Sequence, residues 1–321
     1  MGRRRSSQLA SPKGGARSRV VVQNPDMGRL RGTTVGPRVP GVGVLGDADL
    51  AAARAVCAKA PVEAVLAASR LEVASRHGIE RSGGELWGYR RDGELVAVAW
   101  AGANLVPVVP DRDPAAIDAL AAIATERGRN CSSIVGDAGV VLGLWSRIRD
   151  DWGKPRDIRA DQPSLVIDHA PQVEPDPFVR AAEYDDFDDV LPACIQMFTE
   201  EVGYSPLVGS PRAYEDRVRS LIAAGRSLVR MAPTPSGQRV IFKAEIGAAA
   251  LGVAQVQGVW VAPDRRGDRL SESGMAAVVE ATRASIAPLV SLYVNHYNAP
   301  ALACYDRVGF RQVGTFATIL F

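Results

Sequence analysis

Residues 259–279 (VWVAPDRRGDRLSESGMAAVV) have the layout of a phosphate-binding site. An apolar strand ends at Pro263, a loop of small and basic residues follows, and an apolar-periodic helix begins within a few residues. Backbone N–H groups at a helix N-terminus lack intrahelical partners and attract anions. Arg265, Arg266 and Arg269 stand beside them. The segment predicts a phosphate or pyrophosphate site; the alternative is an ordinary strand-to-helix connection with exposed arginines.

A second segment, residues 295–310 (NHYNAPALACYDRVGF), joins the end of a strand to a short helix. The spacing predicts Asn298 at the N-cap of this helix and Tyr305 about two turns inside it. A core aromatic whose hydroxyl finds a backbone partner is the ordinary interpretation of such a tyrosine. Together with the basic loop of the first segment, however, the pattern around Tyr305 favours a functional role for this tyrosine.

The combined pattern, strand–loop–helix–strand–N-x-x-A-x-x-x-Y-x-x-x-G-F, resembles the GNAT superfamily of acyl-CoA-dependent N-acyltransferases. The resemblance covers residues 178–321 in element order and is most specific at 259–271 and 298–310. The chain is also similar, more loosely, to an actinobacterial GNAT family whose N-terminal domain has no assigned function and to the mycothiol synthases, which are tandem GNAT proteins.

The resemblance implies a site for acetyl-CoA. In the superfamily, the strand before the loop pairs with the pantetheine arm, and the loop R/Q-x-x-G-x-G/A wraps the pyrophosphate. The cofactor contacts implied for this chain are Val259, Trp260, Val261, Arg266, Gly267, Asp268, Arg269, Leu270, Ser271, Glu272 and Asn298. Arg269 and Ser271 stand where glycines are expected, and a Cβ there would crowd the phosphate. We expect this departure to affect CoA affinity more than the fold.

The resemblance also implies that Tyr305 is the general acid that protonates the departing CoA thiolate. The attacking amine needs a proton acceptor, and Glu245, in the otherwise apolar strand IFKAEIG, is the candidate, with an expected raised pKa. A surface-facing glutamate paired with Lys243 is the alternative. Further candidates for the base are Glu200, Glu201 and His296.

The elements around these residues repeat along the chain. With 321 residues, 47% of them hydrophobic, two compact domains are expected. The predicted order from Val42 is β-α-α-β-β-β-α-β-α-β, with Asp92-Gly93 as a type I′ hairpin turn. We predict an α/β (α+β) tandem GNAT fold, each domain a mixed, mostly antiparallel sheet flanked by helices. Its parts are a disordered basic tail (1–41), a degenerate GNAT-like domain (42–167), a linker (168–177) and a catalytic N-acetyltransferase domain (178–321).

The first domain repeats the order without the functional residues. Its strand-to-helix connection, residues 104–120, has no glycine, one arginine, and Asp111 and Asp113 where phosphates would lie. Aspartates at a helix N-terminus exclude a further anion. Residues 138–153, where the tyrosine is expected, contain none. We predict a domain that supports the second one or shapes its acceptor cleft.

The net charge of +2 combines two unlike parts. Residues 1–38 hold nine basic residues and one acid, a balance of +8, which leaves 29 basic and 35 acidic residues, a balance of −6, for the remainder. The Gly/Ser/Pro-rich tail predicts a solvated segment, with a nucleic-acid-binding arm as the weaker alternative and Met27 as a second possible start. The acidic remainder favours a cationic acceptor.

The cysteines and the apolar runs indicate a cellular setting. Four widely separated cysteines with no C-x-x-C motif predict reduced, mostly buried thiols and no metal site. No uncharged run is long enough to span a bilayer, and no apolar region follows the N-terminal arginines. We expect a cytoplasmic monomer or homodimer with neither a membrane nor a nucleic-acid partner.

The predicted function is acetyl-CoA-dependent N-acetyl transfer to a primary amine, by direct attack on the thioester and without a metal. The alternative is a catalytically impaired acyl-CoA-binding protein with a regulatory or interaction role, motivated by the two missing glycines.

Overall fold

The computed structural model describes residues 40–208, 211–235 and 237–321. The prediction of a disordered tail over residues 1–41 falls almost wholly outside this range. We call residues 42–167 the first half and residues 178–321 the second half.

Both halves have the predicted element order. The elements of the first half are β1 (Val42–Val44), α1 (Leu50–Ala58), α2 (Pro61–His77), β2 (Glu85–Arg91), β3 (Glu94–Ala101), β4 (Asn104–Val108), α3 (Pro114–Arg127), β5 (Ser133–Asp137), α4 (Ala138–Trp152) and β6 (Asp157–Ile167). Those of the second half are β7 (Arg180–Ala181), α5 (Phe187–Val202), α6 (Pro211–Ala223), β8 (Ser227–Thr234), β9 (Gly237–Ala250), β10 (Val253–Val261), α7 (Leu270–Ser285), β11 (Leu289–Tyr293), α8 (Ala299–Val308) and β12 (Arg311–Leu320).

Local sequence signals set several of these boundaries. Asp92 and Gly93 have φ of 51° and 84°, as the predicted type I′ turn between β2 and β3 requires. The Asp113 carboxylate accepts from the Ala115 amide at 3.1 Å, and Pro114 opens α3. Gly203 ends α5 in the left-handed conformation with φ of 86°.

All twelve strands form one sheet in the order β1-β2-β3-β4-β5-β12-β6-β11-β10-β9-β8-β7. The pairs β4–β5 and β10–β11 are parallel, and the other neighbours are antiparallel. The prediction of a mixed, mostly antiparallel sheet flanked by helices is confirmed.

The two halves exchange their last strands at the centre of this sheet. Strand β12 of the second half pairs with β5 of the first half, as in Phe316↔Asp137. Strand β6 of the first half pairs with β11 of the second half, as in Val290↔Ile167. Each half therefore completes the sheet of the other. The division at 168–177 stays a prediction.

The apolar core is also continuous between the halves. Val65 of α2 packs with Ala248 and Val253 of the second half. The Tyr293 and Phe316 rings stack with their centroids 5.0 Å apart and pack against the helices and strands of the first half. All four cysteines are buried thiols, as predicted. Within the described residues, no helix has the length and apolarity needed to cross a bilayer.

Candidate active site

A gap between the parallel strands β10 and β11 forms the candidate site. The two strands pair only from Val253↔Leu289 to Gln255↔Ser291. Beyond that point β10 is irregular, with register shifts against β9 and a positive φ of 57° at Gly258. Two adjoining cavities of about 580 and 420 Å³ open in the gap. The limited pairing is what leaves the edge of β10 free for a ligand.

The smaller cavity lies against the basic loop between β10 and α7. Arg266, Gly267, Arg269, Leu270 and Ser271 line it. Within the described chain, the amides of Gly267 and Arg269 make no hydrogen bond. Unpaired amides at a helix N-terminus, together with three arginines, form an anion-binding surface.

Arg269 adopts the backbone conformation that a glycine would provide. Its φ is 59°, in the left-handed region, and Gly267 nearby has φ of 93°. The Arg269 side chain is 78% exposed, so it extends into solvent. The loop therefore takes the conformation of a glycine-containing loop, while the expected crowding of a phosphate by the Cβ of Arg269 stays a prediction.

Tyr305 and Asn298 lie where the spacing predicts. The Asn298 side chain caps α8 and accepts from the Ala301 amide at 3.3 Å. Both residues line both cavities. Tyr305 is 7% exposed, and within the described chain its hydroxyl has no hydrogen-bond partner. Burial raises the pKa of Tyr305, so the hydroxyl keeps its proton at neutral pH.

The three predicted strand residues also border the gap. Val259, Trp260 and Val261 line both cavities. The Trp260 indole Nε1 is buried and, among the described residues, has no hydrogen-bond partner.

Two predicted cofactor residues bind neighbouring side chains instead of lining the cavities. The Asp268 carboxylate pairs with Arg265 at 2.8 Å. The Glu272 carboxylate is buried and accepts from Arg307 Nε at 2.8 Å, which ties α7 to α8. Asp268 and Glu272 therefore contribute to the site by fixing the positions of the loop and of α8.

Glu245 has surroundings different from those predicted. It is 1% exposed, and its carboxylate accepts from Lys243 Nζ at 2.7 Å and from Arg217 at 3.1 Å. Burial alone raises the pKa of Glu245, but the two cations outweigh burial and lower that pKa to about 2. The expected raised pKa is wrong, because the charged partners dominate. The pairing with Lys243 is present, although the pair is buried and not surface-facing.

Glycine at position 258 separates this charged pair from the cavity. A Cβ at Gly258 would lie 3.2 Å from Lys243 Nζ and 3.4 Å from the Glu245 carboxyl carbon. Lys243 Nζ also donates to the Gly258 carbonyl at 3.1 Å. The Lys243–Glu245 pair therefore stabilises the irregular part of β10 through its contact with Gly258. A role of Glu245 as the base stays a prediction.

The larger cavity contains the other two acidic candidates. Glu200 and Glu201, at the end of α5, line it. Glu200 accepts from Arg266 at 2.6 Å, and Glu201 lies 3.5 Å from Arg159. His296, the remaining candidate, is exposed, and its Nδ1 is 3.1 Å from the Asp161 carbonyl oxygen.

Several lining residues of this cavity were not predicted, among them Gln162, Met197, Tyr293 and Asn295. Gln162 is 2% exposed and comes from β6 of the first half. Its Nε2 donates to Asn295 Oδ1 at 3.0 Å, and its Oε1 accepts from Thr318 at 2.7 Å. The sequence showed only that the polar Gln162 precedes the apolar residues Leu165–Ile167. No local pattern indicated that β6 pairs with β11.

The corresponding position in the first half, after the paired residues of β4 and β5, is taken by an ion pair. Arg112 donates to both oxygens of Asp137, at 3.0 and 2.8 Å. Asp137 caps α4, as Asn298 caps α8. Seven residues after Asp137 stands Leu144, which is 1% exposed, in place of Tyr305.

Comparisons with known proteins establish the fold. A family model described as a domain of unknown function (DUF4081) matches residues 84–190. No curated protein sequence matches the chain. The structure of a Drosophila protein aligns with a TM-score of 0.60 and 12% identity, covering 88% of this chain and 98% of its own.

The structure of an N-acetyltransferase aligns with almost as much of this chain as the Drosophila structure does. The GCN5-related N-acetyltransferase from Sphaerobacter thermophilus matches with a TM-score of 0.50 and 16% identity, covering 87% of this chain and 95% of its own. The chain has the GNAT fold. A tandem GNAT protein from the clavulanic acid biosynthesis pathway also matches, with a TM-score of 0.49 and 14% identity over 87% and 98% of the two chains.

The element order of the GNAT fold occurs twice in this chain, so the fold is present in tandem. The parallel pairing is short in both GNAT-like halves, with two residue pairs between β4 and β5 and three between β10 and β11. In the second half, the basic loop, Asn298 and Tyr305 line a cavity beyond these pairs.

Proposed function

We propose that the chain is an acetyl-CoA-dependent N-acetyltransferase that acts through its second half. One observation carries the proposal: the loop in which the Gly267 and Arg269 amides have no partner in the described chain and the largely buried Tyr305 side chain line the same cavity. An anion-binding surface and a proton donor at the two ends of one cleft suit a cofactor that has a diphosphate and a thioester. The GNAT fold agrees with this chemistry but does not by itself assign it.

In this proposal, the diphosphate of acetyl-CoA binds the amides and arginines of residues 265–271. Arg266 and Arg269 supply charge, and Gly267 allows the close approach of backbone to phosphate. The pantetheine arm lies along Val259–Val261, where β10 has no partner on the β11 side. Asn298 and Pro300, at the start of α8, border the arm.

The amine attacks the thioester carbonyl directly. A C–N bond forms, the C–S bond breaks, and the thiolate takes the proton of the Tyr305 hydroxyl. The raised pKa of Tyr305 keeps that proton available at neutral pH. Glu200 and Glu201 line the cavity and are the carboxylates placed to accept the proton of the amine.

The experiment has two steps. Calorimetric titration with acetyl-CoA measures binding, and release of the free thiol in the presence of an amine panel measures transfer. We expect binding at micromolar concentrations and amine-dependent thiol release. Absence of binding at high micromolar concentration would overturn the proposal. Binding without transfer to any amine would support the acyl-CoA-binding regulatory alternative.

A further inference from the structure

We infer that the acceptor is a primary amine with no carboxylate next to its amino group, and that Glu200 and Glu201 hold its ammonium form. This inference rests on the proposed function and names the substrate class of the same site. It concerns the end of the larger cavity that is lined by Glu200, Glu201, Tyr293 and Asn295.

The charges lining the larger cavity favour a cation. Glu200 and Glu201 are acidic, and Arg266 is the only basic residue among the described residues that line it. Two acids and one base give a balance of −1. Arg266 is already paired with Glu200 at 2.6 Å, so its charge is not free for a substrate carboxylate.

A second arginine beside this end of the cavity, Arg159, is also paired. Arg159 is 12% exposed at its side chain and lies 3.1 Å from Asp157 and 3.5 Å from Glu201. It also donates to the Glu201 backbone carbonyl at 3.0 Å. A carboxylate brought into this end of the cavity would face two glutamates without a free cation in the described chain.

Arg266 connects the two cavities, because it lines both. A diphosphate bound at the loop attracts its guanidinium away from Glu200. Glu200 then has no cationic partner, and an ammonium ion can take the place of the guanidinium. The acceptor is therefore expected to bind more tightly after the cofactor than before it.

A second feature of the cavity points to a ligand independently of its acids. Tyr305 is 7% exposed, and its hydroxyl, which lines the cavity, has no partner in the described chain. Hydrogen bonds from Thr318 to Gln162 and from Gln162 to Asn295 fix another part of the cavity lining. These groups are neutral, so the charge that selects the acceptor comes from Glu200 and Glu201.

Matched pairs of amines test the inference. L-phenylalanine and 2-phenylethylamine differ only by the carboxylate next to the amino group, as do L-tyrosine and tyramine. Calorimetry measures the binding of each to the complex of the protein with coenzyme A, and thiol release from acetyl-CoA measures transfer. We expect at least one pair in which the member without the carboxylate binds about tenfold or more tightly and is acetylated faster, the scale of one close like-charge contact in a partly exposed site.

Two variants connect this preference to the named residue. Glu200→Gln should reduce the preference within the pair to less than about threefold, because one of the two repelling charges is gone. Glu280→Gln, at an exposed position of α7, should leave the preference unchanged.

The possible outcomes separate this inference from the proposed function. Equal or tighter binding of the carboxylate-bearing members would overturn the inference, and so would binding of no amine to the coenzyme A complex. An unchanged preference in Glu200→Gln would also overturn it. Failure to bind acetyl-CoA would instead overturn the proposed function.

Discussion

The two halves of this protein have the same order of strands and helices, and they differ in the residues that follow their two parallel strands. In the first half, the α4 cap Asp137 binds the Arg112 guanidinium through both oxygens. In the second half, the α8 cap is Asn298, and the loop arginines line an open cavity. The side chain of each cap residue accepts a hydrogen bond from a backbone amide in the first turn of its helix.

The difference lies in the charge of the cap residue, which is a carboxylate in Asp137 and a neutral amide in Asn298. A carboxylate cap attracts an arginine of the same half and is neutralised internally. An amide cap satisfies the helix equally well without attracting an arginine, and Arg265 and Arg266 pair with Asp268 and Glu200 instead. The first half then contributes structurally, through β6 and Gln162, to the cavity of the second half.

The largest expected effect is at the position where the halves differ in chemistry, Tyr305 against Leu144. Tyr305→Phe should lower kcat for acetyl transfer about 10²- to 10⁴-fold, because the leaving thiolate loses its proton donor. Acetyl-CoA affinity should change less than about twofold. Steady-state kinetics and calorimetry measure the two quantities. Leu144→Met is the control and should retain activity, since volume-conserving core changes cost little. Equal losses in both variants would contradict the proposed role of Tyr305.

The buried charges behind Gly258 are a second point of difference. Glu245→Gln leaves Lys243 buried without its counter-ion, so the free energy of unfolding should fall by about 3–5 kcal/mol. Chemical denaturation measures it. Glu215→Gln, in a half-buried ion pair with Arg219 near the surface, should cost less than about 1 kcal/mol.

The same residue predicts a pH dependence of stability. The pKa of Glu245 in the folded protein is about 2, below the usual value near 4.3. The stability it contributes is therefore complete above the unfolded-state pKa and is lost as the pH falls toward 2. Unfolding measured between pH 6 and 2 should depend less steeply on pH in Glu245→Gln than in the natural protein. Identical slopes would contradict the charged state of the buried carboxylate.

Exchanging the cap charges tests the comparison itself. Asn298→Asp should place a carboxylate beside the loop arginines and weaken acetyl-CoA binding by about tenfold, equivalent to about 1.4 kcal/mol. Asp137→Asn in the first half should leave acetyl-CoA binding unchanged. Calorimetric titration of both variants checks this, and an unaffected affinity in Asn298→Asp would remove the cap charge as the explanation.

The smallest effect concerns two arginines with positive φ, Arg269 at 59° and Arg112 at 50°. Arg269→Gly should stabilise the protein by up to about 1 kcal/mol, because glycine tolerates this conformation. Arg112→Gly should destabilise it, because the bidentate contact with Asp137 is lost. Thermal unfolding of the pair should therefore shift in opposite directions. Shifts of the same sign would contradict this difference between the two loops.

The parts of the site that follow from the sequence are those coded by local spacing. Asn298 and Tyr305 stand seven residues apart on one short helix, and the basic loop directly follows its strand. Their roles in binding and catalysis stay proposals, but their shared location at the gap could be predicted. The repeated element order could likewise be read from periodicity and turn residues.

The remainder depends on pairings between distant segments. The exchange of β6 and β12 places Gln162 against Asn295, 133 residues away. The sequence placed Lys243 two positions from Glu245, on the same face of a strand, which led to the alternative of an ion pair. It could not show Arg217 approaching from α6, and this second cation helps to lower the pKa of Glu245.

The central claim is that only the second half binds the cofactor. A crystal structure of the protein grown with saturating acetyl-CoA tests it most directly. One cofactor per chain is expected between β10 and β11, with its diphosphate at the amides of residues 267–271. Cofactor density between β4 and β5, or an empty gap between β10 and β11 at saturation, would contradict it.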